Sequence, residues 1–349
     1  MALVSERVGR LGTYLFARQD RFRGRPLINL GVGDPDEGVR PELLRQAFEA
    51  AACETGNARY PIGRGKLSLR REIARWMEYR YGVRFDPERE IVVLGGSKEG
   101  IAHLMMALVN PGDTIHVGSL AYPVYARAAG LAGGRVRFLP MTEASDFWID
   151  YSRAGRAKGI VINYPNNPTG AAATCAQMKD LLSWAKEKNI FVISDAAYSE
   201  LYFDGCPAPS VFEIPGARGR AVEFHSFSKS FGLPGLRLGW VCGEPRALDA
   251  LLILKDTYDS GVGNYLQSVG EYLLAMPQRD RELSRLRRLY GERRDLFEGA
   301  LREAGLSFFA SASTFYVWCR EPRAGFVREL QERGVMGISG RGFGSGGSC

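Results

Sequence analysis

At 349 residues, 45% hydrophobic and 24% charged, the chain has the makeup of an ordinary globular protein, long enough for one large domain with a smaller appendage. Its net charge of +7 comes from 46 basic and 39 acidic residues that are scattered rather than blocked, which argues against nucleic acid as a partner. Three histidines with no i, i+3 or i+4 pairing, six cysteines without a CxxC, no secretory apolar region at the start and no apolar run near the ~18 residues of a span speak against a metal site, a disulfide framework, export and membrane insertion, and for reduced thiols in the cytoplasm.

In chain order, the first segments of chemical character are Asn29-Leu30-Gly31-Val32-Gly33-Asp34-Pro35-Asp36 and Tyr60-Pro61-Ile62-Gly63-Arg64-Gly65. Short β-branched runs follow at 91–94, 114–117, 135–139, 159–162, 190–193 and 221–224, and helical patterns at 100–109, 123–132 and 174–188 lie between most of them. That alternation predicts an α/β fold with a mostly parallel sheet covered by helices on both faces. A further strand is expected at 238–242 and helices at 264–275 and 279–304, the second long enough to bridge two domains. Its basic run from Arg279 to Asp295 is interleaved with Asp280, Glu282 and Glu292, the pattern of a solvated helix face. A strand at 307–318 and a helix at 326–333 leave the α/β rhythm. They predict a small domain of residues 1–40 and 291–349 around a large domain of 41–290, with a low-complexity glycine-rich end at 340–349.

Ligands of an open parallel sheet bind beyond the carboxyl ends of its strands. The first such end carries Gly95-Gly96-Ser97-Lys98-Glu99-Gly100 and opens a helix, an arrangement that offers N–H groups to an anion but also occurs as a plain turn. The next carries Tyr122, able to lie against an aromatic ring or simply to pack. Then come Asn167, set between prolines in Asn163-Tyr164-Pro165-Asn166-Asn167-Pro168-Thr169-Gly170, and Asp195 with Tyr198 three residues on. A buried carboxylate stranded without a cation costs on the order of 3–5 kcal/mol, and no nearby sequence position supplies the cation. Finally, Ser226-Phe227-Ser228-Lys229 is followed by Arg237 across a Gly/Pro-containing loop, and Lys229 is one of only eight lysines. An amine beside hydroxyls and a guanidinium suits an aldehyde cofactor that also bears a phosphate. Pyridoxal 5'-phosphate (PLP) meets both needs, and its pyridinium would be the missing partner of Asp195. The plainer alternatives are a solvated loop lysine and a helix-capping aspartate.

The series Tyr60 to Gly65 with Leu69-Arg70, Gly96 to Gly100, Ala121-Tyr122-Pro123-Val124-Tyr125, Asn167 to Gly170, Asp195 to Tyr198, and Ser226 to Lys229 with Arg237 resembles the class I/II aminotransferases of the fold-type I PLP enzymes, from about Asn29 onward. Residues 96–103, 109–113, 162–167, 195–204, 223–226 and 259–261 more narrowly resemble the bacterial LL-diaminopimelate aminotransferases, which points to lysine and cell-wall precursor synthesis. The resemblance implies an aspartate aminotransferase-like fold, PLP as cofactor, an amino acid and a 2-oxo acid as substrates, and a cytoplasmic homodimer with shared sites. It makes Lys229 the imine-forming lysine and proton shuttle and Asp195 the partner of the pyridine nitrogen. Asn167 and Tyr198 then hold the phenolate oxygen, Tyr122 stacks on the ring, and Ser97, Lys98, Ser226 and Arg237 hold the phosphate. Tyr60 reaches the phosphate of the neighbouring subunit, and Gly33, with Asn167, lines the substrate carboxylate pocket.

Two departures accompany the resemblance. The loop Phe231-Gly232-Leu233-Pro234-Gly235-Leu236 differs from the Asn-Met-Thr-Gly-Trp type usual in the diaminopimelate group and is closer to a generic amino acid aminotransferase. The family's carboxylate-clamping arginine lies on a strand beyond the Gly-Phe-Gly segment, past Cys349, and Arg341 is not its counterpart. The expectation drawn from this is a chain that binds PLP and transaminates poorly. A generic aspartate/alanine-type aminotransferase, a PLP-dependent β-lyase, which shares every cofactor contact, and a PLP-binding protein with little activity are the alternatives. A nicotinamide dehydrogenase fits worse, because no GxGxxG lies between a strand and a helix.

Overall fold

The computed structural model describes residues 3–12 and 28–344. Helix α1 (Glu6–Gly9) and strand β1 (Ile28–Asn29) precede helices α2 (Pro41–Cys53) and α3 (Leu67–Tyr81). Then follow β2 (Ile91–Leu94), α4 (Ser97–Leu108), β3 (Thr114–Gly118), α5 (Val124–Leu131), β4 (Arg135–Leu139), β5 (Gly159–Asn163), α6 (Cys175–Glu187) and β6 (Phe191–Asp195). The chain continues through β7 (Ala221–Ser226), the one-turn α7 (Phe227–Ser230), β8 (Gly239–Gly243), α8 (Pro245–Tyr258), α9 (Asn264–Ala275) and α10 (Arg279–Glu303). It closes with β9 (Phe308–Phe309), β10 (Trp318–Cys319), α11 (Phe326–Glu332) and β11 (Val335–Met336).

The central sheet has seven strands in the order β2-β8-β7-β6-β5-β3-β4. Its neighbours are parallel except where β8 lies antiparallel to both β2 and β7. Strands β2, β5, β7 and β8 are buried at every position, as continuous apolar runs between two helical layers must be. Alternation along β2 splits the core: Val92 and Leu94 join Ile101, Leu104 and Phe224 on one face, while Ile91 and Val93 join Ile160, Ile162 and Trp240 on the other. The α/β architecture expected from the sequence, a mostly parallel sheet with helices on both faces, is therefore present.

The strands expected at 190–193, 221–224 and 238–242 run to Asp195, Ser226 and Gly243, so the residues that end them belong to the ladder itself. The strand expected over 307–318 is a correction. Only the two-residue β9 and β10 form there, paired antiparallel, because Ser311 folds back through its hydroxyl onto the Ser313 carbonyl at 2.5 Å and Thr314 is left-handed at φ 68°. Near the chain's start, β1 pairs in parallel with β11, Ile28 opposite Val335 and Asn29 opposite Met336. This ties the segment that carries Gly33 to the C-terminal part.

Helix α10 has 25 residues, about 37 Å at 1.5 Å per residue. Several of its arginines pair with acids of other segments, while Arg281, Arg288 and Arg293 stay exposed as a solvated face would have them. Arg287 meets Glu200 at 3.0 Å, Arg293 meets Asp36 at 2.6 Å and Arg294 meets Asp204 at 2.8 Å. The helix thus pins the chain beyond Tyr198 and the segment beyond Gly33 to one rod. No helix among the described residues is long and apolar enough to cross a membrane.

Candidate active site

Asp195 ends β6 and is buried. Its carboxylate accepts from the Tyr125 hydroxyl at 2.7 Å and from the Ala197 N–H at 3.2 Å, and no cation pairs with it among the described residues. Burial pushes its pKa up to about 6, against the pull of the Tyr125 hydrogen bond. A carboxylate held so high is short of one positive partner.

Beside it, the end of β5 is organised by Asn163. Its amide donates to the Asp195 carbonyl at 2.8 Å and to the Pro165 carbonyl at 3.1 Å, and its oxygen accepts from the Asn167 N–H at 2.8 Å. One buried side chain therefore fixes two strand ends at once. Asn167, also buried, directs its amide nitrogen at the hydroxyls of Tyr198 and Tyr316, each at 3.4 Å. Its side-chain oxygen is buried without a hydrogen-bond partner among the described residues, and such a group needs one. Burial and the adjacent Tyr316 hold the Tyr198 phenol well above its ordinary value, so Tyr198 remains a neutral hydroxyl.

Lys229 sits on α7, directly after β7. Its ammonium donates to the Gly33 carbonyl at 2.5 Å and lies 5.8 Å from the ring centre of Tyr198 and 5.3 Å from that of Phe315. Burial lowers its pKa to about 8. At pH 8 about half of such a lysine is the neutral amine, against roughly 0.3% of an ordinary one.

The anion cradle forms where β7 and β8 meet the start of α4. Ser226 faces Gly239 across the ladder, and a side chain at Gly239 would lie 3.1 Å from the Ser97 nitrogen. The glycine thus lets the two strand ends close on the helix N-terminus. Ser226 caps α7 by accepting from the Ser228 N–H at 3.1 Å. Arg237 is left-handed at φ 50° and donates to the Gly95 carbonyl at 3.3 Å. Its guanidinium lies where a β-carbon on Gly96 would be 2.7 Å away. Lys98 follows Ser97 on the exposed side of the same first turn.

Of the sequence-predicted residues, Lys229, Asp195, Asn167, Tyr198 and Gly33 converge within one cluster. Ser97, Lys98, Ser226 and Arg237 gather at the α4 N-terminus, and Tyr122 lies half-buried at the lip, its ring 5.8 Å from that of Tyr125 and nearly perpendicular to it. Tyr60 is not brought to this cluster, and its ring is 92% exposed. Sequence reasoning gave no role to Tyr125, Asn163 or Tyr316. Tyr125 had a signal, one helical turn beyond Tyr122. Tyr316 had none.

The donor set fits PLP: a buried carboxylate wanting a cation, an amine of lowered basicity, the Asn167 amide nitrogen beside two tyrosine hydroxyls, and a helix N-terminus with a serine and an arginine. Metal-type atoms gather only at Glu99, His103 and Asp259 among the described residues. There the buried Lys255 donates to Glu99 at 3.1 Å and to Asp259 at 2.8 Å, so the group already holds a cation of its own.

Comparison with known proteins agrees with this geometry. The family profile described as aminotransferase class I and II matches residues 25–349. An LL-diaminopimelate aminotransferase of Nitratidesulfovibrio vulgaris (strain Hildenborough) is 39% identical over 99% of this chain and 92% of its own length. One of Moorella thermoacetica is 40% identical over 98% of this chain and 91% of its own. Among solved structures, apo-BacF of Bacillus subtilis superposes with a TM-score of 0.91 at 30% identity, over 99% of this chain and 92% of that one. The N-succinyldiaminopimelate aminotransferase of Mycobacterium tuberculosis gives 0.91 at 28% identity, over 97% and 91%. A family profile spanning most of the chain, relatives near 40% identity and a cofactor-shaped cluster at the strand ends lead to one conclusion: this chain belongs to the class I and II aminotransferases and is a PLP-dependent enzyme.

Proposed function

We propose that the chain moves the amino group of LL-diaminopimelate to 2-oxoglutarate, in the cytoplasm and as a homodimer. The observation that carries the substrate is the pair of relatives at 39% and 40% identity that bear the name LL-diaminopimelate aminotransferase. Bound PLP supplies an electron sink for the α-carbon of the amino acid. Asp195 holds a positive charge on the pyridine nitrogen, and Asn167 and Tyr198 donate to the phenolate oxygen. Tyr122 covers the ring, and Ser97, Lys98, Ser226 and Arg237 bind the phosphate. Lys229 anchors the cofactor and afterwards takes and returns the proton at the substrate α-carbon. Asn167 and the backbone around Gly33 face the substrate carboxylate. We also assign residues 1–40 and 291–349 to one small domain beside 41–290, an assignment supported by the β1–β11 pairing.

A second reading, an aminotransferase of another amino donor, is favoured by one specific contact. The 231–236 loop that departs from the diaminopimelate pattern packs on the substrate side: a β-carbon on Gly232 would be 2.2 Å from the Glu37 carbonyl, and one on Gly38 would be 2.5 Å from the Gly232 carbonyl. Purified protein loaded with PLP should form glutamate from 2-oxoglutarate faster with LL-diaminopimelate than with aspartate, alanine or phenylalanine. A faster rate with any of the other three replaces the first reading with the second. Pyruvate and ammonia in place of glutamate would make the enzyme a β-lyase.

The low basicity of Lys229 sets a pH dependence. Only the neutral amine attacks an aldehyde, so the rate at which PLP becomes covalently attached to apoprotein should rise with pH and reach half its maximum near 8 rather than above 10. Following the visible band after mixing, from pH 6.5 to 10, checks this. A midpoint above 9.5 would show that burial does not tune the lysine.

The exposed Tyr60 supports the shared site, since a ring that faces away from its own cluster is free to enter a partner's. Tyr60→Phe should weaken PLP retention about tenfold, roughly the worth of one hydrogen bond to a charged group. Mixed Tyr60→Phe and Lys229→Ala subunits should regain one site per mixed dimer with both residues intact. Mixtures without such a site would assign Tyr60 to its own subunit.

A further inference from the structure

One side chain from the C-terminal part of the molecule enters the cofactor cluster without a role in the assignments above. The Tyr316 hydroxyl lies 2.8 Å from that of Tyr198 and 3.4 Å from the amide nitrogen of Asn167. Space has been kept for it, since a β-carbon on Gly33 would lie 2.0 Å from the Tyr316 oxygen. Its position is also built by the backbone. The Phe203 N–H donates to the Ala312 carbonyl at 3.0 Å, the Thr314 N–H donates to the Leu201 carbonyl at 2.7 Å, and Tyr202 and Ser313 form an antiparallel bridge. The segment that leaves Tyr198 is therefore laddered to the segment that delivers Tyr316. The left-handed Thr314, whose hydroxyl accepts from the Tyr316 N–H at 3.1 Å, turns the ring inward.

We infer that Tyr316 is a positioning residue for transamination, whose hydroxyl holds the Tyr198 hydroxyl and the Asn167 amide on the cofactor's phenolate oxygen. The inference rests on the reading that Tyr198 and Asn167 bind that oxygen. A phenol has one proton to give. For Tyr198 to spend its proton on the cofactor, the hydrogen bond between the two tyrosines must run from Tyr316 to the Tyr198 oxygen. A hydroxyl that accepts one hydrogen bond becomes a stronger donor in the next. The same contact keeps the Asn167 nitrogen 3.4 Å from both hydroxyls, a separation long enough for one of its two N–H groups to turn to the ligand.

The test is Tyr316→Phe in the full-length, PLP-loaded protein, which keeps the ring's contacts with Phe315 and Tyr198 at 4.9 and 5.6 Å. Donors to the phenolate favour the deprotonated form of the bound chromophore, so weakening the Tyr198 donor should raise the pH midpoint of the visible band by about 0.5 to 1 unit. The value of kcat should fall about 3- to 10-fold while KM for the amino donor changes less than twofold, and the melting temperature of the PLP-free protein should stay within about 2 °C. In a Tyr198→Phe background the same substitution should move the midpoint little, because it acts through Tyr198. An unmoved midpoint in the single variant, or a fall in melting temperature with no change in the band, overturns the inference alone. Absence of any lysine-linked band in the unsubstituted protein overturns the cofactor reading with it.

Discussion

Lys229→Ala should reduce turnover by roughly 10⁵-fold or more, at least ~7 kcal/mol of transition-state stabilisation, and abolish the borohydride-reducible link between protein and PLP. The loss is this large because the proposed assignment gives one nitrogen two tasks, anchoring the cofactor and carrying the proton at the substrate carbon. The fold should not suffer. Burial holds the Lys229 pKa down to about 8, which means the folded state tolerates the ammonium poorly, and alanine relieves it of that group. The PLP-free variant should therefore melt no lower than the parent. PLP should still associate through the phosphate cradle and Asp195, seen as a band typical of the free aldehyde. A reducible link in the variant would assign the anchor to another lysine.

Asp195→Asn should separate activity from stability. Turnover is expected to fall about 10³-fold, ~4 kcal/mol, because a neutral amide cannot hold a positive charge on the pyridine nitrogen. The PLP-free protein should become more stable at neutral pH. Its folded carboxyl titrates near 6 against an ordinary 3.8, so the folded state binds the extra proton. Below about pH 4 the group is protonated in both states and costs nothing. Between about 4 and 6 the cost of ionising it grows, and above 6 it is complete, on the order of 3 kcal/mol. The melting advantage of Asp195→Asn should accordingly be larger at pH 7.5 than at pH 5. The amide keeps the local bonds: its oxygen accepts from Ala197 and its nitrogen donates to the Tyr125 oxygen. Turnover within tenfold of the parent, about 1.4 kcal/mol, would make the carboxylate structural. A melting advantage independent of pH would assign the stability change to something other than charge.

The residues that chemistry demands at strand ends were legible in the sequence because two signals coincide there. The apolar runs at β5, β6 and β7 announce buried parallel strands, and any polar residue that ends such a run stands out, as Asp195 and Ser226 do. Tyr125 and Asn163 escaped because their work is done by a hydrogen bond to another site residue, which a linear reading does not reveal. Tyr316 escaped for a different reason. It depends on a left-handed Thr314 and on a two-rung ladder between residues more than a hundred positions apart, and neither leaves a periodic trace. The same irregularity turned the strand expected over 307–318 into two short pieces. The run of arginines on α10 was legible as a helix face, but their pairing with Asp36, Glu200 and Asp204 could be known only once the fold had placed those acids beside it.

The clamp formed by Asn163 separates two kinds of heritable change in this protein. One of its hydrogen bonds ties the end of β5 to β6 at the Asp195 carbonyl and two brace the turn to Asn167, so Asp195 and Asn167 keep their spacing however the neighbouring loops are rebuilt. Two walls of the proposed substrate pocket press on one another at 37–38 and 231–232 and only border that frame. Substitutions in these walls can therefore redraw which amino acid is admitted while the machinery that moves its amino group stays intact, and a lineage can change diet without relearning the reaction.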